Sequence, residues 1–443
     1  MSQNIITRFP PSPTGPLHMG NVRSALFNYF FARKNGGKFV VRVEDTDRLR
    51  SKKEFEEDML DSLLWLGMQR DGDLWHQSER GDVYKKYLLK LIEDGKAYIS
   101  VETEGENKEV VRFKNPNGVI TFDDLIRGSV TFDTTELGDF IIARNINEPV
   151  YHLAVVVDDF ETGVTHVIRG EDHISNTPRQ ILIQEAIGAP RPTYAHLPLM
   201  LAEDKTKLSK RKHGESVSLK YYRELGYLPE AIINLLALTG WNPGTEQELL
   251  SMDELIEKFD ITKVQKGGAV FNVEKLNWLN REYIKKLSPK EQLENVLKFV
   301  PEGTDANIIE KILPTLLDRI HSFGDVAKLF EAGDFSYVFE TPVIETDKLL
   351  FKGEGNLSDT ARHITYVADA LEKHAQGGGD ASPEAIKALI WPYAEENGRG
   401  SVLWPVRYAL TGKDKSPDPF TVIGILGFEE SIARLKNVVV HIS

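Results

Sequence analysis

The sequence contains no cysteine, which excludes disulfide bonds and thiolate metal sites. Its 11 histidines never show the H-x-x-H or H-E-x-x-H spacing that is typical of zinc centres. No apolar run reaches the roughly 18 residues that a membrane-spanning helix needs, and residues 1–9 lack the basic-then-apolar pattern of a secretion signal. These absences predict a cytoplasmic protein that needs no membrane and whose metal ion, if any, arrives with a substrate.

Basic residues are also outnumbered: 54 Lys and Arg face 67 Asp and Glu, and the formal net charge is −13. Taken alone, this balance argues against a polyanionic partner, because proteins that bind nucleic acids use Lys and Arg to replace counterions. Residues 205–223 depart from the average, with seven basic residues and one acidic residue, Glu215. Such a run is either a solvated loop face or a local concentration of positive potential at a site.

The order of apolar patterns indicates more than one domain, and the 443 residues, 41% of them hydrophobic, suffice for about two to four. Strands predicted at 5–9 and 39–43 alternate with helices predicted at 21–34, 53–66 and 83–92, which favours a parallel sheet with crossover helices. Residues 98–150 change to short β-prone pieces and indicate an insertion. Buried strands are then predicted at 151–157 and 164–169, and helices dominate after Val217.

A loop between the first predicted strand and helix has the sequence PSPTGPLHMG, at residues 11–20. At such a corner the N–H groups of a helix N-terminus point at phosphate. Gly15 and Gly20 permit close approach of a ligand to the backbone, and His18 can donate to a phosphate oxygen. The loop therefore predicts a triphosphate site, although a single histidine beside a glycine is more often structural.

A second segment, KLSKR at residues 207–211, places Lys207 and Lys210 on either side of Ser209. When a carboxylate attacks an α-phosphate, negative charge accumulates on the departing diphosphate, and flexible ammonium groups can follow that charge. Without a partner motif, a solvated basic loop is the simpler interpretation.

Together, in this order, the two segments resemble the signatures of class I aminoacyl-tRNA synthetases: HMGN at 18–21 resembles HIGH, and KLSKR resembles KMSKS. Further blocks resemble the bacterial glutamyl-tRNA synthetases, and a fainter match continues through 405–411 and 416–420. The blocks are TRFPPSPTG at 7–15, VRVEDTDR at 41–48, HVIRGEDH at 166–173, YLPEA at 227–231 and KLNWLN at 275–280. Several independent blocks in family order make a chance resemblance improbable.

The resemblance implies a reaction in two steps. ATP and L-glutamate give glutamyl-adenylate and diphosphate, and the 3′-terminal adenosine of tRNA(Glu) then takes the glutamyl group and releases AMP. Mg²⁺ is expected to arrive with ATP, no zinc is expected, and the protein is expected to be a monomer. In this family the first step commonly requires bound tRNA.

The resemblance also assigns site residues. A glutamate side chain calls for a forked cation and its α-ammonium group for an anion, which agrees with the assigned residue types. The residues expected to bind glutamate are Arg8, Ser12, Glu44, Tyr151 and Arg169. Those expected to bind ATP are Ser12, Thr14, Gly15, His18, Gly20, Asn21, Ser209, Lys210 and Arg211, and those expected to be catalytic are His18, Lys207 and Lys210. Mutual salt bridges are the alternative for Arg8, Glu44 and Arg169, and the roles of Asp159 and His173 stay open.

The resemblance implies an α/β N-terminal half, a Rossmann-like parallel sheet with an inserted α+β subdomain, followed by an all-α C-terminal half. The expected domains are a first catalytic half (1–97), an inserted acceptor-end-binding subdomain (98–150), a second catalytic half with the KMSKS-like loop (151–215), a helical stem-contact region (216–290) and a helical anticodon-binding region (291–443). Residues 99–111 are acidic and shorter than the matching segment of many relatives, which often carries zinc-binding cysteines. The insertion is thus expected to be shortened and without zinc.

Two other classes of protein stay open. One is a relative with a different amino acid or acceptor, either a glutaminyl-tRNA synthetase or the short enzyme that glutamylates a modified nucleoside in tRNA. The long helical region after Leu287 argues against the short enzyme, and glutaminyl enzymes resemble a β-barrel pattern in their C-terminal part. The other class is a non-catalytic tRNA-binding paralogue, which would have no need to keep both motifs together with Arg8.

Overall fold

The computed structural model describes residues 4–102, 109–353 and 355–442. The chain forms two compact units, Met1–Tyr283 and Ile284–Ser443. The strands are β1 (Ile6–Phe9), β2 (Lys38–Val43), β3 (Trp75–His76), β4 (Ala97–Val101), β5 (Glu109–Phe113), β6 (Val119–Asp124), β7 (Gly128–Asp133), β8 (Phe140–Asn145), β9 (Glu148–Pro149), β10 (His166–Gly170), β11 (Thr193–Leu197), β12 (Met200–Leu201) and β13 (Ala269–Val270).

Helices connect and cover these strands. Up to residue 286 they are α1 (Met19–Lys34), α2 (Lys53–Trp65), α3 (Gly81–Glu93), α4 (Tyr151–Glu161), α5 (Thr177–Ile187), α6 (Lys210–His213), α7 (Leu219–Glu224), α8 (Pro229–Leu238), α9 (Met252–Lys258) and α10 (Val273–Lys286). The remaining helices are α11 (Pro289–Leu297), α12 (Ala306–Arg319), α13 (Asp325–Glu331), α14 (Leu357–Gln376), α15 (Pro383–Asn397), α16 (Arg399–Thr411), α17 (Pro419–Leu426) and α18 (Phe428–Ile442).

The first unit is built on parallel strands, as the sequence predicts. β1 pairs with β2 and β2 with β3, while β10 pairs with β11, all in parallel. The backbone N–H of Thr165, just before β10, donates to the carbonyl of Ile6 in β1 at 3.0 Å. This bond joins the group β1–β2–β3 to the group β10–β11. The carboxyl ends of β1, β2 and β10 therefore lie at the same edge, where open α/β sheets bind their ligands. The Rossmann-like fold is confirmed.

One predicted strand is wrong. Residues 151–157 form the first two turns of helix α4, and Asp158 and Asp159 lie in this helix rather than after a strand. The run YHLAVVV is rich in valine, but an apolar run that is buried on all sides has no period that separates strand from helix. Residues 153–159 of α4 are all buried, and the helix packs against α5, so tertiary contacts outweigh the β propensity of valine.

The inserted segment consists of antiparallel strands joined to the parallel sheet. β4, β5, β8 and β9 form one sheet, and β6 pairs with β7 and, through Asp124 opposite Tyr194, also with β11. Between residues 109 and 150 its only helical part is the 3₁₀ turn Thr135–Leu137, so the expected α+β character reduces to strands. The short β-prone pieces leave no stretch long enough for an amphipathic helix. The shortened segment 99–111 lies partly outside the described residues.

The second unit is helical. Among residues 284–353 and 355–442 the structure contains α-helices and short 3₁₀ turns and no strand, which confirms the predicted all-α half. α14 packs against α16 and α18 and buries Ile364, Val367 and Leu371. Within the described part of the chain, no helix is both long and apolar enough to span a bilayer.

Candidate active site

A cavity of about 620 Å³ opens in the first unit at the carboxyl ends of the parallel strands. It brings together most of the predicted site residues: Arg8, Ser12, Thr14, His18, Gly20, Asn21, Glu44, Tyr151, Arg169, Lys207, Ser209 and Lys210 all line it. Two predicted residues do not line it. Gly15 faces open space, and the side chain of Arg211 is exposed on α6.

The first sequence motif contacts the KLSKR segment and also the residues Ser218 and Leu219 that follow it. The N–H of Leu219 donates to the carbonyl of Leu17 at 2.9 Å, and His18 forms an isolated antiparallel bridge with Ser218. The ring of His18 also hydrogen-bonds to the backbone of Leu208, within the KLSKR segment. Segments far apart in sequence therefore form one wall of the cavity.

His18 caps the N-terminus of α1. Its Nδ1 accepts a hydrogen bond from the N–H of Gly20 at 3.0 Å, so the proton of the neutral ring lies on Nε2. Burial lowers the pKa of His18, and the positive charge of Lys207 lowers it further. The imidazole is thus held neutral with a fixed orientation. A Cβ on Gly20 would lie 3.3 Å from Nδ1, so the ring position depends on this glycine.

The two lysines of the second motif form exposed ion pairs. The Nζ of Lys207 lies 3.0 Å from Oδ2 of Asp172, and the Nζ of Lys210 lies 2.9 Å from Oε1 of Glu215. Both lysine side chains are 57% exposed. Ion pairs in this setting contribute about 0 to 1 kcal/mol, so either ammonium group can leave its partner for a more strongly charged ligand.

A buried network of ion pairs forms the floor beneath the cavity. Arg42 lies at its centre, with Nη1 2.6 Å from Oδ1 of Asp159, Nη2 3.1 Å from Oε1 of Glu44 and Nε 3.6 Å from Oδ2 of Asp158. The Nε of Arg8 donates to Oδ2 of Asp159 at 3.3 Å. Burial would raise the pKa of Asp159, but the two arginines outweigh burial and lower it. Arg8 and Glu44 therefore do form salt bridges, through Asp159 and Arg42 rather than with each other.

Arg169 differs from Arg8 and Arg42 because it has no carboxylate partner among the described residues. Its Nε lies 3.2 Å from Nε2 of His196, its Nη2 donates to Oγ1 of Thr177 at 2.9 Å, and its Nη1 is buried with no hydrogen-bond partner in the described structure. The network beside Arg169 contains equal numbers of carboxylates and guanidinium groups. The carboxylates are those of Asp158, Asp159 and Glu44, and the guanidinium groups are those of Arg8, Arg42 and Arg80. A buried, uncompensated cation is costly, and Arg169 lines the cavity, so the site is suited to an anionic group.

Tyr151 is the first residue of α4, and it lines the cavity together with His173. The hydroxyl lies 3.1 Å from Nδ1 of His173. Burial and the nearby Arg169 lower the pKa of His173 to about 4, so its ring is neutral at pH 7. The Tyr151–His173 pair offers neutral hydrogen-bonding groups beside a cation.

Several residues of the site carry no role in the sequence-based prediction. Arg42 and Asp158 are among them, and so are His196 and Asp124, whose side chains lie 2.6 Å apart. A usable signal existed for Arg42 and the Asp158–Asp159 pair, because charged residues inside apolar runs must be paired when the run is buried. No comparable signal marks His196.

This fold, with both motifs at one cavity, defines the catalytic domain of a class I aminoacyl-tRNA synthetase. The family described as tRNA synthetases class I (E and Q), catalytic domain, matches residues 4–109 and 100–278, and the anticodon binding domain matches residues 281–439. The chain belongs to the glutamate–tRNA ligase family.

Similar proteins cover the whole chain. The glutamate–tRNA ligase of Carboxydothermus hydrogenoformans is 41% identical over 97% of this chain and 98% of its own, and that of Aquifex aeolicus is 39% identical over 99% of each. The crystal structure of a glutamate tRNA ligase from Elizabethkingia meningosepticum in complex with its amino acid is 32% identical over 100% of both chains, with a TM-score of 0.87.

Proposed function

We propose that the protein joins L-glutamate to the 3′-terminal adenosine of tRNA(Glu) by way of glutamyl-adenylate, with release of diphosphate and AMP. The observation that carries this proposal is the buried Arg169, which has no carboxylate partner in the described structure and lines the same cavity as the two class I motifs. The matches along both units support it.

In the first step an oxygen of the glutamate α-carboxylate attacks the α-phosphorus of ATP. The bond from that phosphorus to the bridging oxygen breaks, and diphosphate leaves with the electron pair. The attacking carboxylate is already ionised at neutral pH, so this step needs orientation and charge stabilisation rather than a general base. His18 offers its Nε2–H once the ring leaves its hydrogen bond with the backbone of Leu208. The ammonium groups of Lys207 and Lys210 leave their exposed ion pairs to follow the charge on the diphosphate.

The two ends of the amino acid call for opposite charges. The side-chain carboxylate is assigned to Arg169 and Arg8, with Tyr151 and Ser12 as neutral donors at the cavity wall. The α-ammonium group is assigned to Glu44, which follows β2 at the same edge. Glutamine would present an uncharged amide to these arginines and leave the charge of Arg169 uncompensated, so the site favours glutamate.

ATP is assigned to the α1 corner and the KLSKR segment, with contacts from the predicted residues that line the cavity: Ser12, Thr14, His18, Gly20, Asn21, Ser209 and Lys210. Mg²⁺ is proposed to enter on the phosphate oxygens of ATP. This assignment agrees with the preference of Mg²⁺ for substrate phosphates and water over dedicated protein cages. The described residues hold no group of three or more His, Asp or Glu side chains that could bind a metal ion.

In the second step the 2′-hydroxyl of the terminal adenosine attacks the carbonyl carbon of the adenylate. The bond to the phosphate oxygen breaks, AMP leaves, and the phosphate takes the hydroxyl proton. We assign the strands of residues 98–150 to the acceptor end, residues 216–290 to the stem and the helices of residues 291–443 to the anticodon.

Charging of purified tRNA tests this function. The protein, ATP, Mg²⁺ and radiolabelled amino acid are incubated with transcripts of tRNA(Glu) and tRNA(Gln). We expect glutamate to be attached to tRNA(Glu). Attachment of glutamine and not glutamate would overturn the amino-acid assignment, and no attachment of either to any transcript would favour a binding protein without catalysis.

A further inference from the structure

His196 and Asp124 form a buried pair behind Arg169. Both side chains are fully buried, and Nδ1 of His196 lies 2.6 Å from Oδ2 of Asp124. Asp124 ends β6, in the inserted segment, whereas His196 lies in β11 of the parallel sheet. The pair therefore joins the insertion to the sheet at a point directly behind the candidate glutamate site.

The hydrogen bonds of Asp124 determine where the proton of His196 lies. Besides the ring, the carboxylate accepts the backbone N–H groups of His196 at 3.0 Å, Ile126 at 2.9 Å and Arg127 at 2.8 Å. Burial would raise the pKa of Asp124, but His196 and these N–H groups outweigh burial and lower it. The carboxylate is thus ionised and accepts from Nδ1–H, which leaves Nε2 of a neutral ring as an acceptor.

Arg169 donates to that acceptor. Its Nε lies 3.2 Å from Nε2 of His196, and a guanidinium group offers donors only. If the proton of His196 were on Nε2, two N–H groups would face each other at this distance. Oγ1 of Thr177, which accepts from Nη2 of Arg169, also lies 3.2 Å from Nε2, and its hydroxyl can donate to that nitrogen. Both contacts agree with the tautomer that Asp124 selects.

We propose that Asp124 and His196 are positioning residues that hold the guanidinium of Arg169 in place without neutralising it. This inference rests on the proposed function, in which Arg169 binds the glutamate side chain. A neutral imidazole fixes the direction of Nε–H and keeps the full positive charge for the substrate. A carboxylate at the same position would fix the direction but would also compensate the charge.

Arg8 shows the contrasting arrangement within the same site. Its Nε donates to the carboxylate of Asp159, so part of its charge is already compensated. Of the two arginines assigned to the glutamate side chain, Arg169 thus supplies the uncompensated charge, and its orientation depends on a residue of the insertion.

The variant Asp124→Asn tests this inference, with Asp123→Asn as a matched control. Asp123 is the exposed neighbour of Asp124 in the same strand. In Asp124→Asn the amide NH₂ takes the place of Oδ2 and donates a hydrogen bond to Nδ1 of His196. The ring proton of His196 then lies on Nε2, where it faces the Nε–H of Arg169. With tRNA(Glu) present, we expect the KM for glutamate in ATP–diphosphate exchange to rise about tenfold or more, with the KM for ATP little changed. Asp123→Asn is expected to match the wild type.

The tautomer itself is a readout that does not need activity. Long-range ¹⁵N–¹H spectra of ¹⁵N-histidine-labelled protein, assigned with His196→Asn, report which ring nitrogen carries the proton. We expect Nδ1–H in the wild type and Nε2–H in Asp124→Asn. A wild-type proton on Nε2, or an unchanged glutamate KM in folded Asp124→Asn, would overturn the inference. If Asp124→Asn does not fold, the wild-type spectrum decides. An absence of glutamate-dependent exchange in the wild type with tRNA(Glu) present overturns the proposed function instead.

Discussion

Asp159 accepts a hydrogen bond from Nε of Arg8 at 3.3 Å, and the two residues lie 151 positions apart in the sequence. The contact ties helix α4 to strand β1 beneath the cavity. Both side chains are almost fully buried.

Replacing Asp159 by Asn removes the charge that Arg8 and Arg42 share. We expect the free energy of unfolding to fall by about 3 kcal/mol, because two buried guanidinium groups lose a common partner. The KM for glutamate should rise as well, since Arg8 is no longer held. Urea unfolding and exchange kinetics measure the two effects.

Glu161→Gln serves as the control, because Glu161 lies in the same helix but is bonded to Tyr87 at the surface. Equal stability of Asp159→Asn and the control would contradict the ion-pair network.

Replacing Lys210 by Ala removes an ammonium group that lines the cavity. We expect the rate constant of glutamate-dependent exchange to fall about a hundredfold while the KM for ATP changes much less, because the lost charge acts mainly on the departing diphosphate. Lys212→Ala is the control, since Lys212 lies in the same short helix and pairs with Asp204 outside the cavity. If ATP instead binds more weakly while the rate constant is unchanged, Lys210 contacts ATP in the ground state and does not stabilise the transition state.

Replacing Gly20 by Ala separates activity from stability. The new Cβ would lie 3.3 Å from Nδ1 of His18, so the ring must shift away from its hydrogen bond with the backbone. Alanine raises helix propensity by about 1 kcal/mol relative to glycine. This gain offsets the loss of the His18 cap, so the melting temperature should change little. We expect exchange activity to drop roughly tenfold. Gly81→Ala, at the start of α3 where a Cβ meets open space, should leave activity unchanged. A fully active Gly20→Ala enzyme would show that the ring position is unimportant.

Acid should destabilise the first unit through His152. Burial, followed by Arg179, Arg169 and His173, lowers the pKa of His152 to about 4 in the folded protein. The unfolded chain takes up this proton below pH of about 6.5, whereas the folded chain takes it up only near 4. The contribution of the neutral ring to the free energy of unfolding is therefore complete above a pH of about 6.5. It is lost as the pH falls toward 4, and the loss at pH 5 is roughly 1 to 2 kcal/mol.

The variant His152→Phe checks this pH dependence, because it keeps a planar ring and removes the titrating group. We expect unfolding in urea at pH 7.5 and pH 5 to show a smaller loss of stability in the variant than in the wild type. If the two proteins lose the same stability, His152 titrates normally in the folded state.

Local patterns predict the elements of this fold better than they predict its contacts. The apolar run at 5–9 and the helical pattern at 21–34 are enough to place β1 and α1. The buried run 151–157 has no period, and so its helix could not be distinguished from a strand. The partner of Arg8 could not be predicted either, because Glu44 and Asp159 are equally acidic and only the packing of α4 brings Asp159 within 3.3 Å. The same holds for His196, whose role depends on a strand pairing with β6.

The selectivity of the exchange reaction between glutamate and glutamine tests the central claim most directly. The claim is that the buried charge of Arg169, unpaired in the described structure, selects an anionic side chain. With tRNA(Glu) present, we predict that kcat/KM favours glutamate over glutamine by about a thousandfold or more in the wild type, and that Arg169→Gln reduces this ratio by about a hundredfold. Arg179→Gln, on the neighbouring helix α5 and outside the cavity lining, should leave the ratio unchanged. A ratio that is the same in Arg169→Gln as in the wild type would contradict the account.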